Sequence, residues 1–423
     1  VANKSEAFNN RFVKSLKSVA EDLDTPVSHV TLAQFLTKDK ENITEWELRK
    51  LGGFNNLKAM NFPPENNIEV KYGSQMLRQH INKVEREHGK ALFVQKELLE
   101  SIKELLKDNP LKAHPPLKEK HKQTKSKRTL IAALSDTHYG ANISKEEMHG
   151  INEYNWTIAA RRTAMYMEQI AHYKTEHRAD TDLVLQINGD IIAGVIHNQE
   201  WFVDLVATQF AGTLSILTQA VSYLAQHFRK ITVVCTSGNH GRSMTKSDKG
   251  RATTHKWDSY ETLIYCSLRY ALTQYKNVAI IIPESPFIVY NVQGHSVFQS
   301  HGDTVLNVGN PGKSINTNSI NNQVNLINTS TLVKEKVAIT SVGHVHVATV
   351  QNLNSGGYVV INGCLSGLDP FAQSIGIFYN DPTQILAEST PEHPIGDMRM
   401  IGVKLADHEA RFDAIITPFT GKF

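Results

Sequence analysis

Along the chain the period of the hydrophobic positions changes near residue 129. Up to about residue 107, apolar residues recur at helical spacing with few strand signals; from Thr129 onward, short β-branched runs alternate with long amphipathic stretches. Strands are predicted at Thr129 to Leu134, Leu183 to Ile187, Ile231 to Cys235, Ser296 to Gln299 and Val337 to Val342. Further ones are predicted at Tyr358 to Ile361 and Met398 to Leu405, between Gly, Asn and Pro turns. Helical patterns fill the gaps at about Glu153 to His177, Trp201 to Phe228 and Lys256 to Tyr275. Such alternation predicts an α/β fold in which helices cover a sheet. No internal repeat is visible.

The segment 108–128 separates the two regimes. It holds Pro110, Pro115 and Pro116, and sets Lys112, Lys118, Lys120, Lys122, Lys125, Lys127 and Arg128 against the single acid Glu119. A stretch of this kind reads as a solvated tether with a basic surface. Three regions follow: a helical module at 1–107, the linker at 108–128, and an α/β domain at 129–423. In the module, short helices are expected at Thr31 to Leu36, Ile43 to Leu51 and Phe54 to Met60, the last two parted by Gly52-Gly53. From Gln75 to Lys107 an amphipathic stripe including Leu77, Ile81, Val84, Leu98 and Ile102 is suited to a partner helix, so self-association is expected.

Composition narrows the picture only a little. The 423 residues are 40% apolar with a formal charge of +3, which makes a folded protein whose attraction to polyanions must be local. Cys235, Cys266 and Cys364 are far apart and fit neither a disulfide framework nor a thiolate cluster, so a reducing compartment is expected. No apolar run approaches the roughly 20 residues of a bilayer span. The expectation is no membrane association and a cytoplasmic location.

Chemistry enters where the strands end. Five β-rich runs pass directly into short polar motifs: Asp136-Thr137-His138, Gly189-Asp190, Gly238-Asn239-His240, Ser300-His301-Gly302-Asp303 and Gly343-His344-Val345-His346. Carboxyl ends of strands are where sheets of this class build their sites, so these loops are expected to converge. Imidazole, carboxylate and amide donors suit Mn²⁺, Zn²⁺ or Fe²⁺, and the lack of thiolates argues against a closed structural zinc site. Glycines beside the donors let the backbone turn tightly and approach an ion.

The ordered motifs Asp-x-His, Gly-Asp, Gly-Asn-His, a lone His and Gly-His-x-His resemble those of the calcineurin-like metallophosphoesterases, over residues 129 to 347. The resemblance implies a β-sandwich flanked by helices, here preceded by the small all-α N-terminal module. It implies two divalent ions, Mn²⁺ first and Mg²⁺, Zn²⁺ or Fe²⁺ as alternatives. Asp136, His138 and His346 would hold one, Asn239, His301 and His344 the other, and Asp190 would bridge them. Two cations about 4 Å apart can clamp a phosphate and activate a water for in-line attack. His240, next to a ligand but not needed as one, would protonate the leaving oxygen or hydrogen-bond a phosphate oxygen.

Two departures from that pattern stand out. Many relatives carry an acid after Gly-Asn-His, where Gly241 and Arg242 follow here; Asp303 or Asp258 is the expected replacement, and Arg242 adds a positive charge for substrate phosphate. Nucleases of this fold often carry an acid or His three residues after the bridging Asp, where this chain has Ala193. His197 is the nearest substitute, although with Glu200 it also reads as an ordinary structural pair. Residues 189–200 and 238–242 look similar to phosphoesterases of large tailed phages, relatives of the SbcD-type DNA exonucleases. The segment Val30 to Met60 resembles small helical repeats found beside homing endonucleases, which have helix-turn-helix character. The leading expectation is therefore a two-metal DNA nuclease with DNA as partner and no ATPase motif of its own. The alternatives are a phosphatase or phosphodiesterase acting on a phosphoprotein, cyclic nucleotide or other small phosphoester, and a DNA-binding scaffold with a relic metal site.

Overall fold

Strand β1 (Arg128–Leu134) buries Leu130, Ala132 and Leu134 on one face and Ile131 on the other, so it needs cover on both sides. Strands β2 (Thr181–Ile187) and β3 (Ile231–Cys235) repeat this, with Leu183, Leu185, Ile231 and Val233 facing one way and Val184 and Val234 the other. The structure is a computed structural model. It describes residues 111–116, 127–176, 181–196, 203–242, 256–309, 315–330, 333–374, 376–408 and 412–419.

The requirement for two-sided cover is met by a layered arrangement. A 6-stranded sheet is completed by β4 (Val278–Ile281), β10 (Thr383–Ser389) and β11 (Asp397–Gly402), in the order β11-β10-β1-β2-β3-β4. Within it β1 to β4 run parallel, β10 pairs antiparallel with β1, and β11 pairs antiparallel with β10. A 5-stranded sheet contains β5 (Phe287–Val292), β6 (His295–Ser300), β7 (Val337–Val342), β8 (Thr349–Asn352) and β9 (Tyr358–Ile361), in the order β5-β6-β7-β9-β8. There β6, β7 and β9 are mutually parallel. Ile131, Val184, Val234 and Ile385 of the first sheet meet Val292, Val297, Ile339 and Val360 of the second in a shared core. The outer face of the first sheet carries α1 (Trp156–Glu176), α2 (Val206–His227) and α3 (Tyr260–Ala271). The second packs Phe298, Val342, Val359 and Ile361 against Ile320, Val324 and Ile327 of α4 (Thr317–Thr329).

The α/β expectation with sheets flanked by helices agrees with this architecture, and the differences are local. The run Met398 to Leu405 is not one strand: β11 ends at Gly402 and a 3₁₀ turn takes over at Lys404–Asp407. Helix α4 escapes sequence reading because its asparagine-rich turns leave only a narrow apolar stripe; the Asn316 side chain caps it by accepting from Ser319 N at 3.0 Å. The linker is not wholly a solvated tether. Leu111 packs against the helical side of the core, His114 N donates to Ser222 Oγ at 3.0 Å, and the Tyr275 hydroxyl donates to the His114 carbonyl. The rest of the basic stretch up to residue 126, the helical module and its stripe lie outside the described residues. Among those described, no helix is long and apolar enough to cross a membrane.

One buried cation ties the helical layer to the end of the sandwich where the motifs lie. Arg162 on α1 is fully buried; its guanidinium donates to Asp407 at 2.8 and 3.0 Å, to the carbonyls of Leu365 and Ser366 at 2.9 and 2.8 Å, and to Asn152 Oδ1 at 3.1 Å. Leu365 N in turn donates to the Asp136 carbonyl at 3.0 Å. Removing the guanidinium leaves several acceptors and a carboxylate without their donor. Arg162→Ala is therefore expected to lower the unfolding free energy by about 3–5 kcal/mol, read from urea denaturation of the full chain. A loss below about 1 kcal/mol would show that the loop is held by other contacts.

Candidate metal centre

The loops after β1, β2, β3, β6 and β7 meet at one end of the sandwich, since these strands are the parallel ones of both sheets. Their backbones are laced together: Asp136 N donates to Gly189 O, His138 N to Asp190 O, and Gly343 N to His301 O, at 3.1, 3.1 and 2.8 Å. Asp136, His138, Asp190, His344 and His346 all have φ between 46° and 75°. Side chains other than glycine seldom occupy this left-handed region, and such strain concentrates at functional sites. Two glycines make the crowding possible. A Cβ on Gly238 would lie 2.0 Å from Asp190 Oδ1, and one on Gly343 would lie 2.4 Å from Asp136 Oδ2.

The donors gather in overlapping groups. Asp136, His138 and His346 form one, Asp190, His301 and His344 a second, and His138, Asp190 and His240 a third, with ligand atoms in each within 4.8 Å of one another. In the first, His138 Nε2 stands 3.1 Å from His346 Nε2, which is 3.5 Å from Asp136 Oδ1. In the second, His301 Nε2 lies 3.0 Å from Asp190 Oδ2, 3.2 Å from Asn239 Oδ1 and 3.2 Å from His344 Nδ1. Asp190 belongs to the second and third groups and His138 to the first and third, so these two residues link the first group to the second.

Neighbouring residues fix these side chains. The Ser135 hydroxyl donates to Asp136 Oδ2 at 2.5 Å, and His344 N donates to both carboxylate oxygens at 3.1 and 3.2 Å. Ser135 is itself held by Asn362 Nδ2 at 3.0 Å and, through its backbone N–H, by Gln384 Oε1 at 3.1 Å. His301 donates its Nδ1 hydrogen to the Asn188 carbonyl at 2.7 Å. In the neutral ring, Nε2 is then a lone pair aimed at Asp190, Asn239 and His344. Acceptor atoms facing one point need a proton or a cation there, and the N/O donor set with no thiolate fits a divalent ion.

Electrostatics without an ion show the same demand. Burial raises the Asp136 carboxyl to about 7, with the Asp190 charge adding to it and His301 opposing. Burial also works against ionised Asp190, yet His301 and His240 beside it hold its carboxyl well below the usual range. His301 moves the opposite way: burial favours the neutral ring, but the charge and hydrogen bond of Asp190 raise it to about 9. His344 and His346 are pushed down to about 4 and 3, by burial first and then mainly by neighbouring imidazoles.

His240 donates its Nδ1 hydrogen to the Ala193 carbonyl at 2.7 Å, and its ring stands 4.5 Å, centroid to centroid, from that of His138. The group that orients this ring is thus the backbone carbonyl of Ala193, the position where nucleases of this fold often carry an acid or His. Asp303, an expected replacement, is engaged by the buried Lys256 instead. Asp258 directly precedes Ser259, the N-cap of α3. Arg242 is half-buried and donates from Nε to the Asn239 carbonyl at 2.7 Å. His197 lies outside the described residues. Sequence reading missed Glu261, a fully buried acid on α3 whose carboxylate accepts from Ile191 N at 2.8 Å and Gly238 N at 2.6 Å. Its only sequence signal is an acid in the first turn after a Ser cap, which ordinarily marks a helix start and nothing more.

No protein-family model matches the chain, and no curated protein does. Three solved structures similar to it can be named. A dimetal phosphatase from Danio rerio aligns over 65% of this chain and 96% of its own, at 10% identity and TM-score 0.33. A structure of PhoD aligns over 69% and 70%, at 11% identity and TM-score 0.32. A 5'-nucleotidase from Candida albicans aligns over 69% and 54%, at 11% identity and TM-score 0.27. At such scores these likenesses carry no argument, and the geometry stands by itself.

The raised His301 makes ion uptake dependent on pH. A protonated imidazole cannot ligate, so an ion taking this nitrogen must displace its proton at any pH below about 9. Apparent Mn²⁺ affinity is expected to rise with pH towards about 9. Calorimetry at pH 7.5, in buffers of different ionisation enthalpy, should show about one proton released for each ion that takes His301. Heats independent of buffer would mean that His301 gives up no proton and is not a ligand.

Proposed function

We propose that the protein is a two-metal phosphoesterase that hydrolyses phosphodiester bonds, with DNA as its substrate. The observation that carries the reading is Asp190, a buried carboxylate within ligand reach of His301 and His344 on one side and of His138 and His240 on the other. In this reading Asp136, His138 and His346 hold one ion, Asn239, His301 and His344 the other, and Asp190 binds both. Mn²⁺ is the first choice and Mg²⁺, Zn²⁺ or Fe²⁺ the alternatives. When bound, such a pair offsets phosphate charge and lowers the pKa of a water.

The chain's own residues supply the rest. The Ala193 carbonyl fixes the ring of His240 through Nδ1, which leaves Nε2, 3.9 Å from Asp190 Oδ2, as the atom that exchanges a proton with the leaving oxygen. Arg242, steadied by the Asn239 carbonyl, is the candidate for a phosphate oxygen. Support for DNA comes from the lysine-rich stretch between Lys112 and Arg128 and from the likeness of residues 189–200 and 238–242 to phage phosphoesterases.

Two variants separate the roles. Asp190→Asn removes the shared charge and is expected to abolish binding of the ion pair and lower hydrolysis by several orders of magnitude, with circular dichroism unchanged. His240→Ala is expected to keep both ions and lose about 10²-fold or more in kcat. Hydrolysis by an Asp190→Asn chain that still holds both ions would refute the site, and loss of ions from His240→Ala would make His240 a ligand. Substrate class is tested with Mn²⁺, end-labelled linear DNA, covalently closed DNA and bis(p-nitrophenyl) phosphate side by side. Cleavage of the small ester alone would move the substrate to small phosphoesters.

A further inference from the structure

Many proteins with the Gly-Asn-His motif follow it with an acid, and here Gly241 takes that place. The reason is steric and lies in another element. A Cβ on Gly241 would stand 2.3 Å from Glu261 Cγ and 2.8 Å from its carboxyl carbon. A side chain at 241 and the Glu261 side chain cannot occupy the same space.

Glu261 reaches this point from a well-anchored base. Ser259 caps α3 by accepting from Glu261 N and Thr262 N at 3.2 and 3.4 Å, and Tyr260 N donates to the Gly241 carbonyl at 2.8 Å. From there one carboxylate receives Ile191 N, directly after Asp190, on Oε1, and Gly238 N, directly before Asn239, on Oε2. These N–H groups belong to loops from different strands, β2 and β3. A single rigid group spanning them sets the separation of the Asp190 and Asn239 side chains. The Asp190 carboxylate is tied into the same arrangement, since Oδ1 accepts His240 N at 2.8 Å.

We infer that Glu261 is a positioning residue that, from the space left by Gly241, holds Asp190 and Asn239 in register to bind the divalent ion of the Asn239, His301 and His344 cluster. The inference rests on the two-metal reading above. It follows that the cluster of Asn239, His301 and His344, whose Asn239 loop Glu261 holds directly, depends on it more than the cluster of Asp136, His138 and His346, which it reaches only through the Asp190 loop and the bond from His138 N to Asp190 O.

Gln and Asp test this in different ways. Glu261→Gln presents one acceptor and one NH₂, so one of the two backbone N–H groups faces a donor; Glu261→Asp keeps the charge but is a methylene too short to span both. Stepwise Mn²⁺ affinities of the full chain are read by equilibrium dialysis, with Asn316→Ala as a control that weakens the cap of α4, an element outside the Glu261 contacts. Both Glu261 variants are expected to weaken one of the two stepwise Mn²⁺ affinities at least tenfold and the other by less, since Asp190 serves both, and Asn316→Ala to lower the melting temperature with both affinities retained. Unchanged affinities in the Glu261 variants, an equal loss in Asn316→Ala, or failure of both Glu261 variants to fold would overturn the positioning role. A wild-type chain that takes up no Mn²⁺ would overturn the two-metal reading together with this one, whereas two ions bound by wild type and by both variants alike would overturn this inference alone.

Discussion

The structure is organised around a crowd of electron-rich atoms that repel one another unless a cation lies among them. Asp136, Asp190 and His301 are almost fully buried, and the ring nitrogens of His138 and His346 face each other at 3.1 Å. Without an ion, protons stand in: His301 holds one up to about 9, and Asp136 is raised to about 7. Backbone conformation adds to the cost, since each non-glycine residue in the left-handed region carries roughly 1–3 kcal/mol of strain. Such a constellation persists only where its surroundings over-determine it.

Those surroundings come from every layer. From the first sheet, Gln384 on β10 holds Ser135, which orients Asp136. From the second, His344 N donates to Asp136 while His301 donates to Asn188, so the two sheets lock each other's loops. From the helices, Arg162 grips the turn behind Asp136, and Glu261 spans the Asp190 and Asn239 loops. A sandwich with parallel strands in both sheets suits this, because several carboxyl ends meet at one edge while the helices stay free to brace them from outside.

Much of this was legible in the chain because the donors lie immediately after strongly β-branched runs. Gly189-Asp190 and Gly343-His344-Val345-His346 announce both a strand end and the residue types of a metal ligand, so position and chemistry coincide. The supporting residues have no such local mark. Glu261 sits 22 residues after Asn239 in an ordinary helix start, and Arg162 is a lone cation within an amphipathic helix whose burial only the tertiary structure reveals. The orienting partner of His240 could not be read at all, because it is a backbone carbonyl and any residue at 193 would provide it. Elements such as α4 and the half-exposed β4 failed to register because packing, and not periodicity, defines them.

The central claim, that this end of the sandwich holds two ions sharing Asp190, is most directly tested by electron paramagnetic resonance of the full chain titrated with Mn²⁺. Two ions bridged by one carboxylate interact magnetically. The account predicts that the six-line signal of isolated Mn²⁺ gives way, as the second equivalent binds, to the broad multiline spectrum of a spin-coupled pair, and that Asp190→Asn prevents this. Isolated Mn²⁺ signals at every loading, or no bound Mn²⁺ at all, would contradict it.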